Sequence, residues 1–398
     1  MPEPDLAAPT DLHFYLIFPR FKILSGAERL ILRLAAHVTA LGHRATVLCH
    51  TMHKSCRDLA RIDGLTIVET GRRLDRFKNR YLNAALDYGS SLSLLDLATD
   101  PGAICVFFGA SLPSLYWFRR LKHRTNPCLY FCYEPPRFIY RDRDAILRRL
   151  GWAAIPTRPA IALYALLDHR FIRAADAILT QGEFGRAEIE RIYGLPSTII
   201  PHGSEMGYRG RPTRDCFTVL TVNYLHPRKR VELFLEAIRE LVDRAAPVRG
   251  VIVGDGPEMP MLRQKAGILG IGDRVRFAGF VGEDQLAREY AEADAYLHTA
   301  RLESFGLSVL DALASGLPVV SVSEGGPLEM IREGITGYLT SADRVSLAAK
   351  LIVLEHDAAR RIEMGRNAAE SVRTKYTWQA GAHALLDAAR RVRGCRTT

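Results

Sequence analysis

The sequence predicts an α/β protein of two doubly wound domains, each a parallel sheet covered on both faces. Three observations carry this. Short apolar runs recur along the chain without polar alternation, the pattern of strands buried on both sides. Helical stretches of ten or more residues lie between them, as a wound parallel sheet requires. A polar, turn-rich segment, HGSEMGYRGRPTRD at 202–215, interrupts the series near the middle of 398 residues, a length that allows two cores.

In the first half, the strand HFYLIF (13–18) leads through the loop PRFKILSGAE into an amphipathic helix. Leu30, Leu34 and Val38 share one face of that helix and Gly42 ends it. ATVLC (45–49) then completes a βαβ unit with a long first loop. AICVFF (103–108), CLYFC (128–132), AILT (177–180) and TII (198–200) read as further parallel strands. The second half runs FTVLTVN, a helix at 231–243, VRGVIVGDG, a helix near 258–269, VRFAGF and a helix at 284–292. AYLHT, a helix within RLESFGLSVLDALASG, PVVSV and GYLT follow. TWQAGAHALLDAARRV (377–392) is one more amphipathic helix after this pattern has ended. The expected domains are therefore 1–205, joined by a C-terminal helix of about 377–398, and 206–376. Doubly wound sheets place ligands at the carboxyl ends of their strands, so a central cleft is the expected site.

Composition narrows the class. Apolar content of 48% and charged content of 25% are globular values. MPEPDLAAPT opens with acids and prolines where a secretory signal has a basic region and an apolar run, which predicts a cytoplasmic protein. The weakly charged segments 89–118 and 151–167 are broken by Asp96, Asp100 and Pro101, and by Arg158 and two prolines, so neither reads as a membrane span. Cysteines number seven, and Cys49, Cys105, Cys128 and Cys132 sit in strand-like runs, favouring reduced core thiols over disulfides or a metal site. The net charge is +10, and between 111 and 175 twelve Arg or Lys face four acids. That surplus of eight is interleaved with Trp, Phe, Tyr and Leu. A solvated basic surface fits this, and so does one that meets anionic lipid head groups or a phosphorylated acceptor at the inner face of a membrane. No nucleic-acid-binding motif accompanies the charge.

The chemistry concentrates in RLESFGLSVLDALASGLPVV (301–320), where Glu303 precedes a helix and Asp311 lies within it. Eight helical residues turn about 800° and rise roughly 12 Å, so the two acids would face a similar side with the helix N-terminus between them. Free N–H groups at Ser304, Phe305 and Gly306 would suit a phosphate. A nucleoside-diphosphate sugar has matching hydroxyls, phosphates and hydroxyls; a capping acid with a chance surface Asp is the bland alternative. HExxH and GxSxG patterns are absent.

The run 301–338 resembles the donor-site signature of the family-4 retaining glycosyltransferases, of GT-B architecture: two Rossmann-like domains facing a cleft. Glu303, Phe305, Gly306, Ala312, Ala314, Gly316, Pro318, Val319, Val320, Gly325, Gly326, Glu329 and Gly337 fall on that pattern. The resemblance implies that Glu303 holds donor-sugar hydroxyls, that backbone from Ser304 through Phe305 and Gly306 to Leu307 meets phosphates and sugar, and that Asp311 holds the ribose. Asp311 stands where the family has Glu. VNYLHPRKRVELFLEAI (222–238) resembles the family's Gly-Arg-x-x-x-x-Lys-Gly segment, with Lys229 in the Lys place, Tyr224 in the Arg place, and Arg228 or Arg230 as substitute charge. Gly254, in VIVGDGPE, permits close backbone approach, and the backbone around Phe280, Val281 and Gly282 would meet the base.

In the first domain Gly26, Glu28, Gly42 and His43 resemble the family's Gly-Gly-x-Glu and Gly-His elements, with Ser25 replacing the first Gly. His43 is expected to be structural. YFCYEPPRFIY resembles Tyr-x-His-x-Pro-x-Arg of mannosyl-type members, with Tyr133 in the His place, Glu134 as the nearest ionisable group and Arg137 as its alternative partner. The implied activity is metal-independent, retaining transfer of a hexose from a GDP- or UDP-sugar to a glycan, lipid-linked or small-molecule acceptor, with no separate cofactor. Because Tyr133, Tyr224 and Asp311 all depart from the pattern, a sugar-nucleotide-binding protein with weak or lost catalysis stays open.

Overall fold

The computed structural model describes residues 11–22, 24–62, 64–72, 93–121, 125–150, 154–208, 210 and 216–395. The proline-rich start, residues 89–92, Lys122 and Arg124 of the basic segment, and 211–215 of the expected linker lie outside them. The described residues fall into two compact units, one within Met1–Gln181, Gly185–Pro201 and Trp378–Thr398, the other within Gly182–Phe184 and His202–Thr377.

The first part of the chain gives β1 (His13–Ile17), β2 (Arg20–Phe21), α1 (Gly26–Ala40), β3 (Arg44–Cys49), β4 (Thr51–Met52), α2 (Lys54–Leu59) and β5 (Leu65–Glu69). It continues with β6 (Ile104–Phe108), α3 (Leu112–Leu121), β7 (Cys128–Phe131), α4 (Arg137–Tyr140), α5 (Arg143–Leu150), α6 (Ala154–Ile172), β8 (Ala177–Thr180), α7 (Glu183–Tyr193) and β9 (Thr198–Ile199). Seven strands form a parallel sheet in the order β5-β3-β1-β6-β7-β8-β9, and β2 and β4 pair separately. Three strands were not expected from the sequence pattern: β5, none of whose residues is fully buried, and β2 and β4, which form a two-residue ladder. Leu30, Leu34 and Val38 of α1 pack with Leu16, Val47 and Val106 on one face of the sheet; Leu115, Phe118, Ile172 and Ile189 cover the other. Cys49, Cys105, Cys128 and Cys132 are buried.

The second unit follows as β10 (Phe217–Val222), α8 (Val231–Asp243), β11 (Val248–Val253), α9 (Met259–Ile268), β12 (Val275–Gly279), α10 (Glu283–Glu292) and β13 (Ala295–His298). Then come α11 (Leu307–Ala314), β14 (Val319–Val322), β15 (Gly337–Thr340), α12 (Arg344–His356) and α13 (Ala358–Arg373). Its parallel sheet runs β12-β11-β10-β13-β14-β15. The strand order reverses between β10 and β13, and in the first unit between β1 and β6. Such reversals open a crevice beyond the carboxyl ends of the two strands.

The last helix, α14 (Trp378–Gly394), belongs to the first unit and packs against α1, placing Trp378, Leu385 and Ala389 in that core. Gly381 lets it approach closely, because a Cβ there would run into the Pro201 carbonyl. Among the described residues no helix is long and apolar enough to cross a membrane.

Candidate active site

At the switch point of the second unit, β10 ends in the loop 223–230 and β13 in the loop 299–306. Several hydrogen bonds tie the two loops. Arg301 N–H donates to the Arg228 carbonyl (2.8 Å), Thr299 Oγ1 to the Lys229 carbonyl (2.7 Å) and Arg230 Nε to the Thr299 carbonyl (2.8 Å). Pro227–Lys229 forms one 3₁₀ turn, and Arg230, in left-handed backbone (φ 46°), turns the chain into α8. The result is direct contact between Lys229 Nζ and Glu303 Oε2. Arg230 is committed elsewhere, to Glu324 at 3.0 Å.

Glu303 does not lie on the helix. Leu302 (φ 48°) turns the chain just before it, and α11 starts only at Leu307. The eight-residue helical geometry joining Glu303 to Asp311 therefore does not apply, and the first-turn amides are those of Leu307 and Ser308 instead of Ser304 to Gly306. Gly306, at φ 95°, supplies the turn into the helix. Behind Glu303, Gly325 and Gly326 press against the Glu303 and Ser304 carbonyls, and Gly326 N–H donates to the Glu303 carbonyl at 2.7 Å.

Burial raises the Glu303 pKa, but the Lys229 ammonium beside it, helped by Arg228, outweighs this and holds the carboxyl below the ordinary 4.5. His298, at the end of β13, is 1% exposed, and neither ring nitrogen has a hydrogen-bond partner. Burial lowers its pKa from 6.5 to about 4, against the attraction of Glu303. Both shifts are depressions, so both groups stabilise the fold above their unfolded values and lose that contribution as pH falls through the folded ones. Melting temperature is thus expected to fall as pH drops from 6.5 toward 4, and His298→Leu to flatten that dependence. An unchanged slope in the variant, measured by calorimetry, would contradict the assignment.

Asp311 is buried, not a surface acid, and its Oδ1 accepts from Ser204 Oγ at 2.6 Å. Ser204 belongs to the segment expected to be a linker; here it packs within the second unit, with the His202 ring tilted against Phe305 at 4.8 Å. The Phe305 side chain is core, against His202 and Tyr376, so only its backbone can face a ligand. Gly254 makes its close approach to the chain's own Asn223 carbonyl. At the end of β12, Phe280 is 60% exposed while Val281 leans on the core. Tyr224 is equally exposed.

The first unit has its own cluster beyond β1, β6 and β7. Gly26 opens α1 after Ser25, whose N–H (3.3 Å) and hydroxyl both donate to Glu28 Oε2. Ser25 thus gives the departure from Gly-Gly a local purpose: with Glu28 it forms the return half of a capping box. Burial raises the Glu28 pKa despite these bonds. Tyr133 follows β7, its ring against Phe131 (5.1 Å) and over Gly109, its buried hydroxyl without a hydrogen-bond partner. Burial and the nearby Glu28 push its pKa upward, so it can only donate or accept as a neutral phenol. Glu134 reaches Arg137 at 3.5 Å, but Arg137 Nε bonds Asp142 at 3.0 Å. His43 takes the Leu12 N–H at Nδ1 (3.3 Å), a structural role.

Two family descriptions cover nearly all of this architecture: Glycosyl transferase 4-like domain matches residues 25–203, and Glycosyl transferases group 1 matches 211–371. The chain belongs to the family-4-type, group 1 glycosyltransferases. This group 1 chain is 32% identical over 180 residues to a GDP-mannose-dependent alpha-(1-6)-phosphatidylinositol monomannoside mannosyltransferase of Mycobacterium tuberculosis, covering 43% of the chain and 46% of the relative. It is 29% identical over 218 residues to N-acetyl-alpha-D-glucosaminyl L-malate synthase of Bacillus anthracis, covering 54% and 50%. The matched region spans about half the length of these curated relatives. The fold is that of sucrose-phosphate synthase from Thermosynechococcus elongatus (TM-score 0.77, 17% identity, 96% of this chain and 100% of that one). Anabaena HepE, solved with UDP and glucose, is similar too (TM-score 0.71, 16% identity, 94% and 98%). The GT-B architecture is established by these likenesses.

Proposed function

We propose that the protein transfers a hexose from a nucleoside-diphosphate sugar to a glycan or lipid-linked acceptor, with retention of configuration and without a metal. One observation carries the reading: the Lys229–Glu303 pair at the switch point of the second unit, beside the amino end of α11. A diphosphate would draw Lys229 away from Glu303 and rest on the first-turn amides of α11. Glu303, released, would take the sugar hydroxyls, and Asp311, steadied by Ser204, the ribose. The bond from the anomeric carbon to the diphosphate oxygen breaks, and Lys229 with Arg228 stabilises the charge left there. The acceptor hydroxyl bonds to the same face of the sugar as its proton passes to that phosphate oxygen. Tyr133 offers its hydroxyl as a neutral hydrogen-bond partner to a sugar hydroxyl, and Glu134 is the ionisable group beside it.

A GDP- or UDP-hexose is favoured, since the mycobacterial relative is named for GDP-mannose and HepE holds UDP. Thermal-shift measurements with GDP-, UDP-, ADP- and dTDP-hexoses should show one base raising the melting temperature. Product analysis by NMR with that donor should show the anomeric configuration kept. Inversion would overturn the mechanism, and tight donor binding without turnover would replace the transferase with a sugar-nucleotide-binding protein. The protein is expected to act as a peripheral protein at the cytoplasmic face of a membrane.

A further inference from the structure

Helix α6 (Ala154–Ile172) in the first unit has two apolar faces. One enters the core: Asp168 takes the hydroxyls of Tyr140 (2.8 Å) and Tyr193 (2.6 Å), and Phe171 and Ile172 are buried beside it. At 100° per residue, Leu163, Leu166, Leu167 and Arg170 fall together on the opposite side. Leu163 is 59% and Leu166 68% exposed, and Leu167 is exposed as well. A helix on a domain surface ordinarily presents polar residues outward. This one presents leucines.

Neighbouring elements extend the same surface. Trp117, exposed on α3, meets Tyr116 edge-on, and Tyr116 accepts from Arg170 Nε at 2.8 Å and lies under Arg120. Phe138, also exposed, packs on Tyr164 of α6 at 5.5 Å. Arg158, Arg170 and Arg173 stand exposed at the two ends of the leucine stripe. Apolar side chains ringed by arginines match the acyl edge and anionic head groups of a bilayer, and the surplus of eight positive charges in 111–175 gives long-range attraction of the same sign.

We infer that α6, with Trp117 and Phe138, lies in the interface of an anionic phospholipid membrane and holds the protein there. Phe138 is five residues past Tyr133, on the stretch that follows β7, so a lipid-linked acceptor embedded in that membrane would emerge beside Tyr133 and Glu134. This last point rests on the transferase reading; membrane docking itself does not.

The test is flotation of the full chain with phosphatidylcholine vesicles, with and without phosphatidylglycerol, for the native protein and for Leu163→Ser/Leu166→Ser/Leu167→Ser. The leucines are exposed, so the triple variant should keep the native melting temperature and donor binding. The native protein should float with the anionic vesicles and release as salt rises. The variant should partition about tenfold less strongly or worse, from lost apolar contact. No flotation at low salt, or equal flotation by both proteins, would overturn the inference. So would sedimentation showing a dimer that the triple variant dissolves, since a second copy would then cover the stripe. Failure of flotation with donor binding intact would leave the transferase reading standing.

Discussion

Replacing Glu303 with glutamine is expected to lower turnover by about two to three orders of magnitude, the usual effect of removing one preorganised polar group from a transition state. The protein should stay folded, because the Glu303 side chain is partly exposed and glutamine keeps its shape. Lys229→Met should lower turnover on a similar scale through the leaving diphosphate. It also strips the cation that holds the Glu303 carboxyl down, so the variant's residual activity should fall off at a higher pH than the native enzyme's. Because the two groups touch, the double variant should lose much less than the product of the single losses. Steady-state kinetics across pH with the donor chosen by thermal shift reads all three. Near-native turnover in either single variant would remove the pair from the chemistry.

The fold was legible where pattern and packing agree. α8 runs over the expected Val231–Asp243 because Val231, Phe234, Leu235, Ala237, Ile238 and Leu241 share one face and are buried. Apart from β11, which stops at Val253, three residues short of the end of VRGVIVGDG, the strands of the second unit fall within a residue of their expected limits, since buried parallel strands are continuous apolar runs. β5 escaped because an edge strand has one covered side, and Thr66 and Glu69 break the run. α12 and α13 escaped for another reason. Only Asp357 separates them, serving as the end of one helix and, through its carboxylate to the Arg360 N–H at 2.9 Å, the cap of the next.

The candidate site was legible as a set of residues and not as an arrangement. Lys229 and Glu303 are 74 positions apart, and no local pattern states that they touch; the strand order β10–β13 brings them together. Ser204 and Asp311 are 107 positions apart, in a segment that composition marks only as polar and turn-rich. His298 sits in an ordinary apolar strand, and its burial without a partner is invisible until the strand is placed. The helix start moved from Ser304 to Leu307 because Leu302 and Gly306 both adopt left-handed backbone, a conformation only the glycine advertises.

That backbone explains why Gly325, a residue with no side chain, should matter as much as the ion pair. Gly325 adopts φ 78°, ψ −160°, a region essentially reserved for glycine that costs about 1–3 kcal/mol for other residues. A methyl group there would also meet the Glu303 carbonyl. Gly325→Ala should therefore lower stability by at least that amount and displace the loop carrying Glu303. Gly334 separates the two effects: it too has positive φ (73°), but a Cβ there meets nothing within 4 Å. Gly334→Ala should cost about 1–2 kcal/mol of backbone strain alone and leave donor affinity unchanged. Gly325→Ala should melt lower still and lose donor binding, as read by chemical denaturation and titration with the nucleotide sugar. If Gly325→Ala binds donor as the native protein does, the loop is not what holds Glu303 in place, and the site must be positioned from the Lys229 side.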